Sequence, residues 1–330
     1  MNNIKTVLSG IRPTSRLHIG NYFGAVKGML ELQNSNEYQT FYMVADLHAL
    51  TTPFNPTDLK NGVNQVILDY LACGLDPQKS TLFIQSQVPE HTYFNTLLSS
   101  LISVAKLQHL PTYKEKVAQN PKGSTLALLN YPVLMAADIL IYKATHVPVG
   151  KDQEPHLEVA RQIAKKLNNE YKTNFPIPQT YSTPGNYIPS LTGEGKMAKS
   201  VDGSAIFLTD TLDEIKNKIA KIPTDLGKSE VVPTNGGVAT LLTLIELFIS
   251  KEYRLELEQK YTAQGLKYGE LKQELSEKIA TYLLPIQQKR AELEANPNYL
   301  KQVIQKGNIQ ASTFAKVAVD EVKASFGLKY

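Results

Sequence analysis

Two segments of the sequence carry residue types that suit phosphate chemistry, and the first lies at residues 9–21. It places Arg12, His18 and Gly20 between a predicted strand and the predicted start of a helix. A helix start offers free N–H groups and the positive end of the helix dipole, which suits phosphate. Gly20 lets a flat base or ribose press against the backbone, and His18 adds a donor. The segment therefore indicates a nucleotide site, although a solvated turn would contain the same residue types.

The second segment lies at residues 193–200, where Lys196 and Lys199 stand three residues apart next to glycines. A lysine is a compact, flexible point charge that can follow a phosphate group as it moves. Flanking glycines allow such a loop to open and close. The sequence has no Walker A or G-x-G-x-x-G pattern, so the common nucleotide loops do not explain these residues. A solvated, lysine-rich surface loop is the alternative.

The elements that would position these segments alternate in the first part of the chain. Runs of apolar residues favour strands, which are predicted at residues 6–9, 40–45, 81–85, 146–149 and 205–208. Helical patterns lie between them, and Asn55 followed by Pro56 is typical of a helix start. Strands that alternate with helices indicate a parallel sheet with crossover helices. The sequence therefore predicts an α/β fold with ligands at the carboxyl ends of the strands.

Composition places the chain among ordinary globular proteins and excludes several classes. Its 330 residues are 42% hydrophobic and 20% charged, which suits a sizeable core and one or two domains. The net charge of +4 permits an anionic partner without requiring one. Cys73 is the only cysteine, which excludes an internal disulfide and a cysteine-based zinc or iron–sulfur site. Without a membrane-length apolar run or a signal or transit pattern, we expect a cytoplasmic protein.

Together, the two segments resemble the paired "HIGH" and "KMSKS" signatures of class I aminoacyl-tRNA synthetases. Residues 18–21 read His-Ile-Gly-Asn, and residues 196–200 read Lys-Met-Ala-Lys-Ser. Their order and the helical region that follows them also match, so the resemblance covers essentially the whole chain. It is closest to the bacterial tryptophanyl-tRNA synthetase family. Ala198 stands where the signature has serine, which removes one hydroxyl near the phosphates but keeps both lysine charges.

The resemblance implies a Rossmann-like, doubly wound parallel sheet as the catalytic domain, with a smaller, all-helical C-terminal domain. We expect the catalytic domain at residues 1–208, with an inserted helical connective segment at about residues 93–145. The helical domain is expected at residues 209–330, where apolar residues follow helical spacing, and it would carry the tRNA anticodon contacts. In relatives, part of this last region folds back and belongs to the core of the chain.

The implied reaction has two steps. The carboxylate of L-tryptophan attacks the α-phosphate of ATP to give tryptophanyl-adenylate and pyrophosphate, and the tryptophan then passes to the 3′ end of tRNA(Trp). The carboxylate is already a nucleophile, so catalysis should rest on positioning and electrostatic stabilisation. ATP with Mg²⁺ is the expected cosubstrate, with no protein-bound structural metal. The implied partners are tRNA(Trp) and a second copy of the chain in a homodimer, with no membrane.

The resemblance assigns the phosphate chemistry to His18, Lys196 and Lys199, which would supply positive charge. The turn after the fourth predicted strand resembles the family's Gly-x-Asp-Gln turn, which binds the ATP ribose in relatives, although Lys151 stands where an acid is common. Ile188 matches a backbone contact to adenine. The implied ATP-binding residues are Arg12, Pro13, Thr14, Gly20, Asn21, Gly150, Lys151, Asp152, Ile188, Lys196, Met197, Ala198, Lys199 and Ser200.

Residues 131–140 resemble the amino-acid pocket of the family. A helix there places Tyr131, Met135 and Asp138 on one face, at i, i+4 and i+7. An indole has one N–H donor on a large apolar body, so its pocket needs one acceptor among apolar walls. A carboxylate in so apolar a run needs a partner in any case, and pairing inside a buried helix is the alternative. The implied tryptophan-binding residues are Tyr131, Met135, Asp138, Ile139 and Gln153.

Four further polar residues are candidates for the same site. Asp46 and His48 follow the second predicted strand and match the family, but satisfied structural roles fit them equally well. Lys114 and Lys116 would either help to hold the ATP phosphates or form a solvated face.

Three other functions share part of this pattern. In tyrosyl-tRNA synthetases, the pocket helix usually has glutamine where this chain has Met135, and the first signature usually ends in histidine where it has Asn21. Both differences favour tryptophan. A small-molecule nucleotidylyltransferase shares the first signature but not the lysine loop or the helical C-terminal region. A catalytically silent RNA-binding paralogue stays open because of Ala198 and Lys151, although the retained lysines oppose it.

Overall fold

The predicted alternation of strands and helices is present in the structure, a computed structural model that describes residues 5–14, 16–119, 121, 124–150, 153–181, 187–199 and 201–330. The strands are β1 (Lys5–Ile11), β2 (Tyr38–Val44), β3 (Ser80–Ile84), β4 (His146–Pro148) and β5 (Gln179–Tyr181). The α-helices are α1 (Ile19–Asn21), α2 (Lys27–Asn34), α3 (Asp46–Ala49), α4 (Pro56–Ala72), α5 (Glu90–Ser99), α6 (Val104–Gln108), α7 (Pro111–Gln119), α8 (Leu126–Ile141), α9 (Glu154–Tyr171), α10 (Leu212–Ala220), α11 (Gly236–Phe248), α12 (Lys251–Ala263), α13 (Tyr268–Glu294) and α14 (Pro297–Ser325). A π-helical segment spans Tyr22–Val26, and a 3₁₀ turn spans Gln85–Gln87.

The five described strands form one parallel sheet in the order β3-β2-β1-β4-β5. Val7 in β1 pairs with Thr40 in β2 on one side and with His146 in β4 on the other. β2 pairs with β3 from Thr40 to Val44. The order reverses between β1 and β4, which is the Rossmann-like, doubly wound arrangement that we predict from the sequence. Ligands of such sheets bind outside the carboxyl ends of the strands at this switch point.

The predicted fifth strand at residues 205–208 is wrong. Its apolar residues are largely buried, but they form only an isolated antiparallel bridge, between Phe207 and His18. The Ile19 N–H donates to Ile206 O at 2.9 Å beside this bridge. The fifth strand of the sheet is β5, whose 3 residues, Gln-Thr-Tyr, are partly exposed and give no apolar signal.

Contacts within the chain divide it into two compact units. The first unit contains the sheet, and the second is mostly helical. They comprise Met1–Ser15, Gly28–Thr183 and Asn296–Tyr330, and Arg16–Lys27 and Pro184–Ala295, respectively. The boundaries of these two units differ from those of the domains expected at residues 1–208 and 209–330. The domain boundaries stay a prediction.

Helix α14 belongs to the first unit, where it packs on the edge strand β3. A Cβ at Gly307 would lie only 1.8 Å from Leu82 O, so this position needs glycine for the helix to touch the strand backbone. Asn308 Oδ1 accepts a hydrogen bond from the Ile84 N–H at 3.0 Å. Because an unpaired strand edge invites association with other chains, the helix protects this edge while it closes the core.

The helices that flank the sheet begin where local chemistry favours a start. Asn55 is the N-cap of α4, as predicted, and its Oδ1 accepts from the Thr57 N–H at 2.8 Å. Thr125 is the N-cap of α8, and its hydroxyl accepts from the Leu128 N–H at 3.2 Å. The buried face of α8 then packs into the main hydrophobic core. This packing fixes the helix that carries the predicted amino-acid pocket.

The second unit is organised by helices α10–α13. Helix α10 begins with a capping box, in which the Thr211 side chain accepts from the Glu214 N–H and the Glu214 carboxylate accepts from the Thr211 N–H. The rings of Phe23, Phe248 and Tyr282 meet with centroids 5.2–5.8 Å apart. None of the helices in the described part of the chain is both long and apolar enough to cross a membrane.

Candidate active site

Asp138, the carboxylate of the predicted pocket, lies on α8 and has no solvent exposure. Its Oδ2 accepts a hydrogen bond from His48 Nε2 at 2.7 Å, and its Oδ1 accepts one from His91 Nδ1 at 2.6 Å. The Gln85 amide nitrogen donates to both oxygens, at 2.8 and 2.9 Å. The expectation that this carboxylate has partners is therefore confirmed, and the partners come from α3, α5 and the 3₁₀ turn after β3.

These donors keep Asp138 charged inside the core. Burial raises the pKa of the carboxyl, but the hydrogen bonds from His48 and His91 outweigh burial and hold the pKa at about 2. His91 uses its second ring nitrogen as well, because Nε2 lies 2.7 Å from the Tyr142 hydroxyl. In the neutral ring, Nδ1–H donates to the carboxylate and Nε2 accepts from the phenol. The carboxylate is thus supported by a chain of side chains rather than by one ion pair.

A second hydrogen-bonded network joins Tyr131 to Gln153 through His156. The Tyr131 hydroxyl lies 2.5 Å from His156 Nε2 and 2.9 Å from Thr112 Oγ1. Thr112 Oγ1 is itself 2.7 Å from the same ring nitrogen. On the other side of the ring, Nδ1 lies 3.1 Å from Gln153 Oε1. One buried imidazole therefore contacts two of the predicted tryptophan-binding residues.

The remaining predicted pocket residues on α8 differ in exposure. Met135 is half-buried, whereas Ile139 lies in the main core with 1% exposure. Burial raises the pKa of the Tyr131 phenol, while the hydrogen bond with Thr112 and the charge of Arg12 lower it. Arg12 is thus close enough to Tyr131 to act on its phenol. Their roles in binding tryptophan stay predictions.

The loop after β1 carries three predicted ATP-binding residues at the switch point of the sheet. Arg12 and Thr14 are exposed, and Pro13 between them is buried. A Cβ at Gly62 of α4 would lie 2.2 Å from Pro13 O. The glycine therefore lets this loop approach the helix closely, which fixes the path of the loop at the end of β1.

The turn after β4 carries the next predicted group. The Gln153 N–H donates to Gly150 O at 3.0 Å, which closes a turn between these two residues. Lys151 and Asp152 are outside the described residues, and so is Ser200 of the second signature. The predictions for these three residues therefore stay as they are.

In the second unit, His18 is the N-cap of α1 and forms a reciprocal pair with Asn21. His18 Nδ1 accepts from the Asn21 N–H, and Asn21 Oδ1 accepts from the His18 N–H, each at 3.2 Å. Because Nδ1 accepts, the neutral ring carries its proton on Nε2. The last residue of the first signature therefore sets the tautomer of its first residue.

Gly20 lies beneath the His18 ring. A Cβ at Gly20 would come within 2.9 Å of two ring atoms of His18 and 3.4 Å of the Met197 Cβ. The missing side chain thus makes room for the imidazole and for the second signature. The predicted contact of Gly20 with a base or ribose stays a prediction beside this packing role.

The second signature is anchored through the backbone of its central residues. The Met197 N–H donates to Ile188 O at 3.1 Å, and the Ala198 N–H donates to the hydroxyl of Ser204 at 3.1 Å. Met197 and Ser204 are both buried. Since Ala198 is held by its backbone, the missing hydroxyl at this position does not affect the anchor.

Lys196 and Lys199 lie close enough to His18 to act on its charge. Burial lowers the pKa of His18 to about 4, and the charges of Lys199 and Lys196 add to this effect. This lowered pKa favours a neutral His18 ring at neutral pH, and the positive charge that the resemblance assigns to it stays a prediction. The cluster combines two cations with one neutral N–H donor, which suits the oxygens of a phosphate chain. Its assignment as the catalytic group stays a prediction.

The four weaker candidates have ordinary surroundings, apart from His48. Lys114 and Lys116 are exposed on α7, and the Lys116 ammonium donates to Gln119 Oε1 at 3.4 Å. Asp46 Oδ1 accepts from the Ser86 N–H at 2.9 Å. The structure thus gives Asp46 a satisfied structural role and brings only His48 to Asp138.

Sequence reasoning missed Gln85, His91, Thr112 and His156. Gln85 carried a signal, because it ends a predicted buried strand and so had to lie at the ligand-binding edge of the sheet. The two histidines and the threonine lie within or at the edge of helical patterns that do not distinguish a buried hydrogen-bonding residue from a surface one.

Comparison with known proteins identifies the family of this chain. The family described as tRNA synthetases class I (W and Y) matches residues 2–283. The tryptophan–tRNA ligase of Porphyromonas gingivalis is 37% identical over an alignment of 333 positions, which covers 99% of this chain and 100% of that protein. The one from Fusobacterium nucleatum is 41% identical over 326 residues, 98% of each chain. The crystal structure of tryptophanyl-tRNA synthetase from Campylobacter jejuni complexed with ADP and tryptophan matches with a TM-score of 0.85 and 33% identity, over 98% of this chain and 100% of that one.

The chain therefore belongs to the class I tRNA synthetases for tryptophan and tyrosine. Within this class, its full-length relatives are tryptophan–tRNA ligases, and it is an enzyme of that family. The family predicted from the two signatures is confirmed. The similarity also supports the tryptophan prediction over the tyrosyl and catalytically silent alternatives.

Proposed function

We propose that the chain activates L-tryptophan with ATP and transfers the tryptophan to the 3′ end of tRNA(Trp). The observation that carries this proposal is the cluster of His18, Lys196 and Lys199 in a chain whose full-length relatives are tryptophan–tRNA ligases. The Campylobacter jejuni relative is complexed with ADP and tryptophan, which supports the same pair of substrates for this chain.

In the first step, the tryptophan carboxylate attacks the α-phosphorus of ATP, the bond to the bridging oxygen breaks, and pyrophosphate leaves. Lys196 and Lys199 stabilise the negative charge that moves onto the leaving pyrophosphate. His18 donates its Nε2–H to a phosphate oxygen without adding charge. The reaction needs no side-chain nucleophile, so these residues act by position and electrostatics.

The residues that the resemblance assigns to ATP are proposed as its binding residues in this chain. The proposed ATP-binding residues are Arg12, Pro13, Thr14, Gly20, Asn21, Gly150, Lys151, Asp152, Ile188, Lys196, Met197, Ala198, Lys199 and Ser200. Mg²⁺ would arrive on the phosphate oxygens of ATP. The described residues contain no group of three or more His, Cys, Asp and Glu side chains placed to hold a metal ion.

Asp138 would accept a hydrogen bond from the indole N–H only after one of its present hydrogen-bond donors is displaced. A carboxylate has about four acceptor positions, and three side chains already make four contacts with it. The His48 side chain is 11% exposed and that of His91 is 0% exposed, so we expect the indole N–H to displace His48 from Oδ2. The other proposed tryptophan-binding residues are Tyr131, Met135, Ile139 and Gln153.

The partners and the location follow from this proposed activity. We propose tRNA(Trp) as the acceptor, with anticodon contacts on the helical region at residues 209–330. We also propose a homodimer and a cytoplasmic location, as expected from the resemblance. Sedimentation of the pure chain with and without tRNA(Trp) would test both the homodimer and the binding of tRNA.

The first experiment is amino-acid-dependent ATP–pyrophosphate exchange with tryptophan, tyrosine and phenylalanine in parallel. We expect exchange with tryptophan alone, because the pocket has one buried carboxylate as the acceptor for an indole N–H. Exchange with tyrosine would show that the chain acts as one of the tyrosine enzymes of its family. No exchange with any of the three would favour the RNA-binding alternative.

The pH dependence of exchange tests the neutral state of His18. Because the pKa of His18 is lowered to about 4, its charge does not change between about pH 6 and 8. We therefore expect His18→Asn to reduce the exchange rate by the same factor throughout that range. A ratio of wild-type to variant rates that follows a titration near pH 6.5 would show that His18 acts as a cation instead.

A further inference from the structure

We propose that His156 is a positioning residue for tryptophan binding, which sets Tyr131 and Gln153 through the two nitrogens of its ring. The proposal rests on the proposed function, because Tyr131 and Gln153 are assigned to tryptophan there. His156 itself lies behind them, at 1% exposure on α9, and has no assigned role in the reaction.

The contacts of His156 join three separate elements of the first unit. Nε2 meets the Tyr131 hydroxyl from α8 at 2.5 Å and the Thr112 hydroxyl from α7 at 2.7 Å. Nδ1 meets Gln153 Oε1, in the turn that follows β4, at 3.1 Å. A rigid ring between the two side chains fixes the distance between the phenol oxygen and the amide.

The chemistry of the partners determines the state of the ring. An amide oxygen can only accept, so Nδ1 carries a proton and donates to Gln153. In the neutral ring, Nε2 then accepts from a hydroxyl, which matches its two hydroxyl neighbours. This tautomer orients the amide of Gln153 and the phenol of Tyr131 at the same time. A histidine that served the core alone would need partners but not these two.

Two substitutions separate the two sides of the ring. The side-chain amide of asparagine lies near the place of Nδ1, and that of glutamine reaches near the place of Nε2. His156→Asn should therefore keep the contact with Gln153 and lose the one with Tyr131, and His156→Gln should do the reverse. We expect each variant to raise the Kd for tryptophan about three- to tenfold, the effect of one lost hydrogen bond.

Tryptophan binding can be measured directly, because the chain contains no tryptophan of its own. Fluorescence of the bound ligand, excited where tyrosine does not absorb, reports the Kd for L-tryptophan. The KM for ATP in the exchange assay is expected to stay within about twofold of wild type, since the contacts of His156 with Tyr131 and Gln153 belong to the proposed tryptophan site. A matched control is His146→Asn, because His146 also bonds a threonine hydroxyl, at 2.9 Å, but lies at the start of β4.

A double-mutant cycle distinguishes positioning from general support of the fold. Tyr131→Phe should add little to the effect of His156→Asn, which has already lost this contact, and should add fully to that of His156→Gln. Unchanged Kd values in both histidine variants, or equal rises in the Kd for tryptophan and the KM for ATP, would overturn the proposal. If neither variant folds, Thr112→Val removes one hydroxyl of the same network and should raise the Kd for tryptophan about threefold, and an unchanged Kd would overturn the proposal.

The outcome for wild type separates this inference from the proposed function. Wild-type exchange with tryptophan, together with unaffected His156 variants, would refute the positioning role and leave the activity standing. No tryptophan-dependent exchange and no bound fluorescence in the wild-type chain would refute the proposed function, and this inference with it.

Discussion

Replacement of Lys199 by alanine is expected to slow tryptophanyl-adenylate formation by about 10²–10³-fold, the usual cost of one preorganised group that stabilises transition-state charge. The Kd for tryptophan should change by less than about twofold, because the lysine acts on the phosphates and not on the amino acid. Single-turnover adenylation and the fluorescence of bound tryptophan measure the two quantities on the same preparation. The motivating observation is that Lys199 acts on the buried His18 of the first signature.

A lysine elsewhere in the second unit serves as the control. Lys221 is exposed at the end of α10, and Lys221→Ala should leave adenylation unchanged. Normal chemistry in Lys199→Ala, with only a raised KM for tryptophan, would remove Lys199 from the catalytic group. Lys199→Arg keeps the charge but changes a point cation into a planar fork, so we expect it to recover only part of the rate.

The second large effect concerns Asp138 and the choice between tryptophan and phenylalanine. In Asp138→Ala, we expect the preference for tryptophan, as the ratio of kcat/KM values in exchange, to fall at least about 100-fold. The reason is that an amino-acid ring that displaces His48 must supply a new donor to Oδ2, which the indole N–H does and phenylalanine does not, and the variant has no such acceptor. Exchange rates over a range of both amino acids give the ratio.

The structure also indicates a cost in stability for this variant. Asp138→Ala leaves the donors of His48, His91 and Gln85 without their carboxylate, at roughly 1–3 kcal/mol for each buried donor left unpaired. Asp138→Asn keeps one acceptor oxygen and the shape of the side chain, and it serves as the milder variant. Asp69→Asn, a change to another buried carboxylate on α4, controls for stability alone. Unchanged discrimination in both Asp138 variants would refute the indole contact.

Much of the sheet could be predicted because buried parallel strands consist of nearly continuous apolar residues. The four predicted strands from residues 6–9 to 146–149 all overlap β1–β4, and the helix start at Asn55 is confirmed. β5 could not be predicted from the sequence, because its polar residues give no strand signal and it becomes a strand only by pairing with β4. The segment at residues 205–208 has the composition of a strand, but its partner is the backbone around His18.

The candidate site could be predicted in its residue types but not in its connections. The sequence required a partner for Asp138, yet His48 is 90 positions away, and no local pattern joins them. The lowered pKa of His18 could not be predicted for a similar reason. Its pKa depends on burial and on two lysines about 180 positions further along the chain, and both effects arise only after folding.

The return of α14 to the sheet has a consequence for how the protein is made. The ribosome adds residues 297–325 only after every helix of the second unit has been synthesised. Until then, β3 on the nascent chain lacks the helix that covers its edge, and the core cluster lacks its contribution from Ala311 and Ala315. Synthesis thus completes the second unit before the first. During that interval the open strand edge is prone to association with other chains.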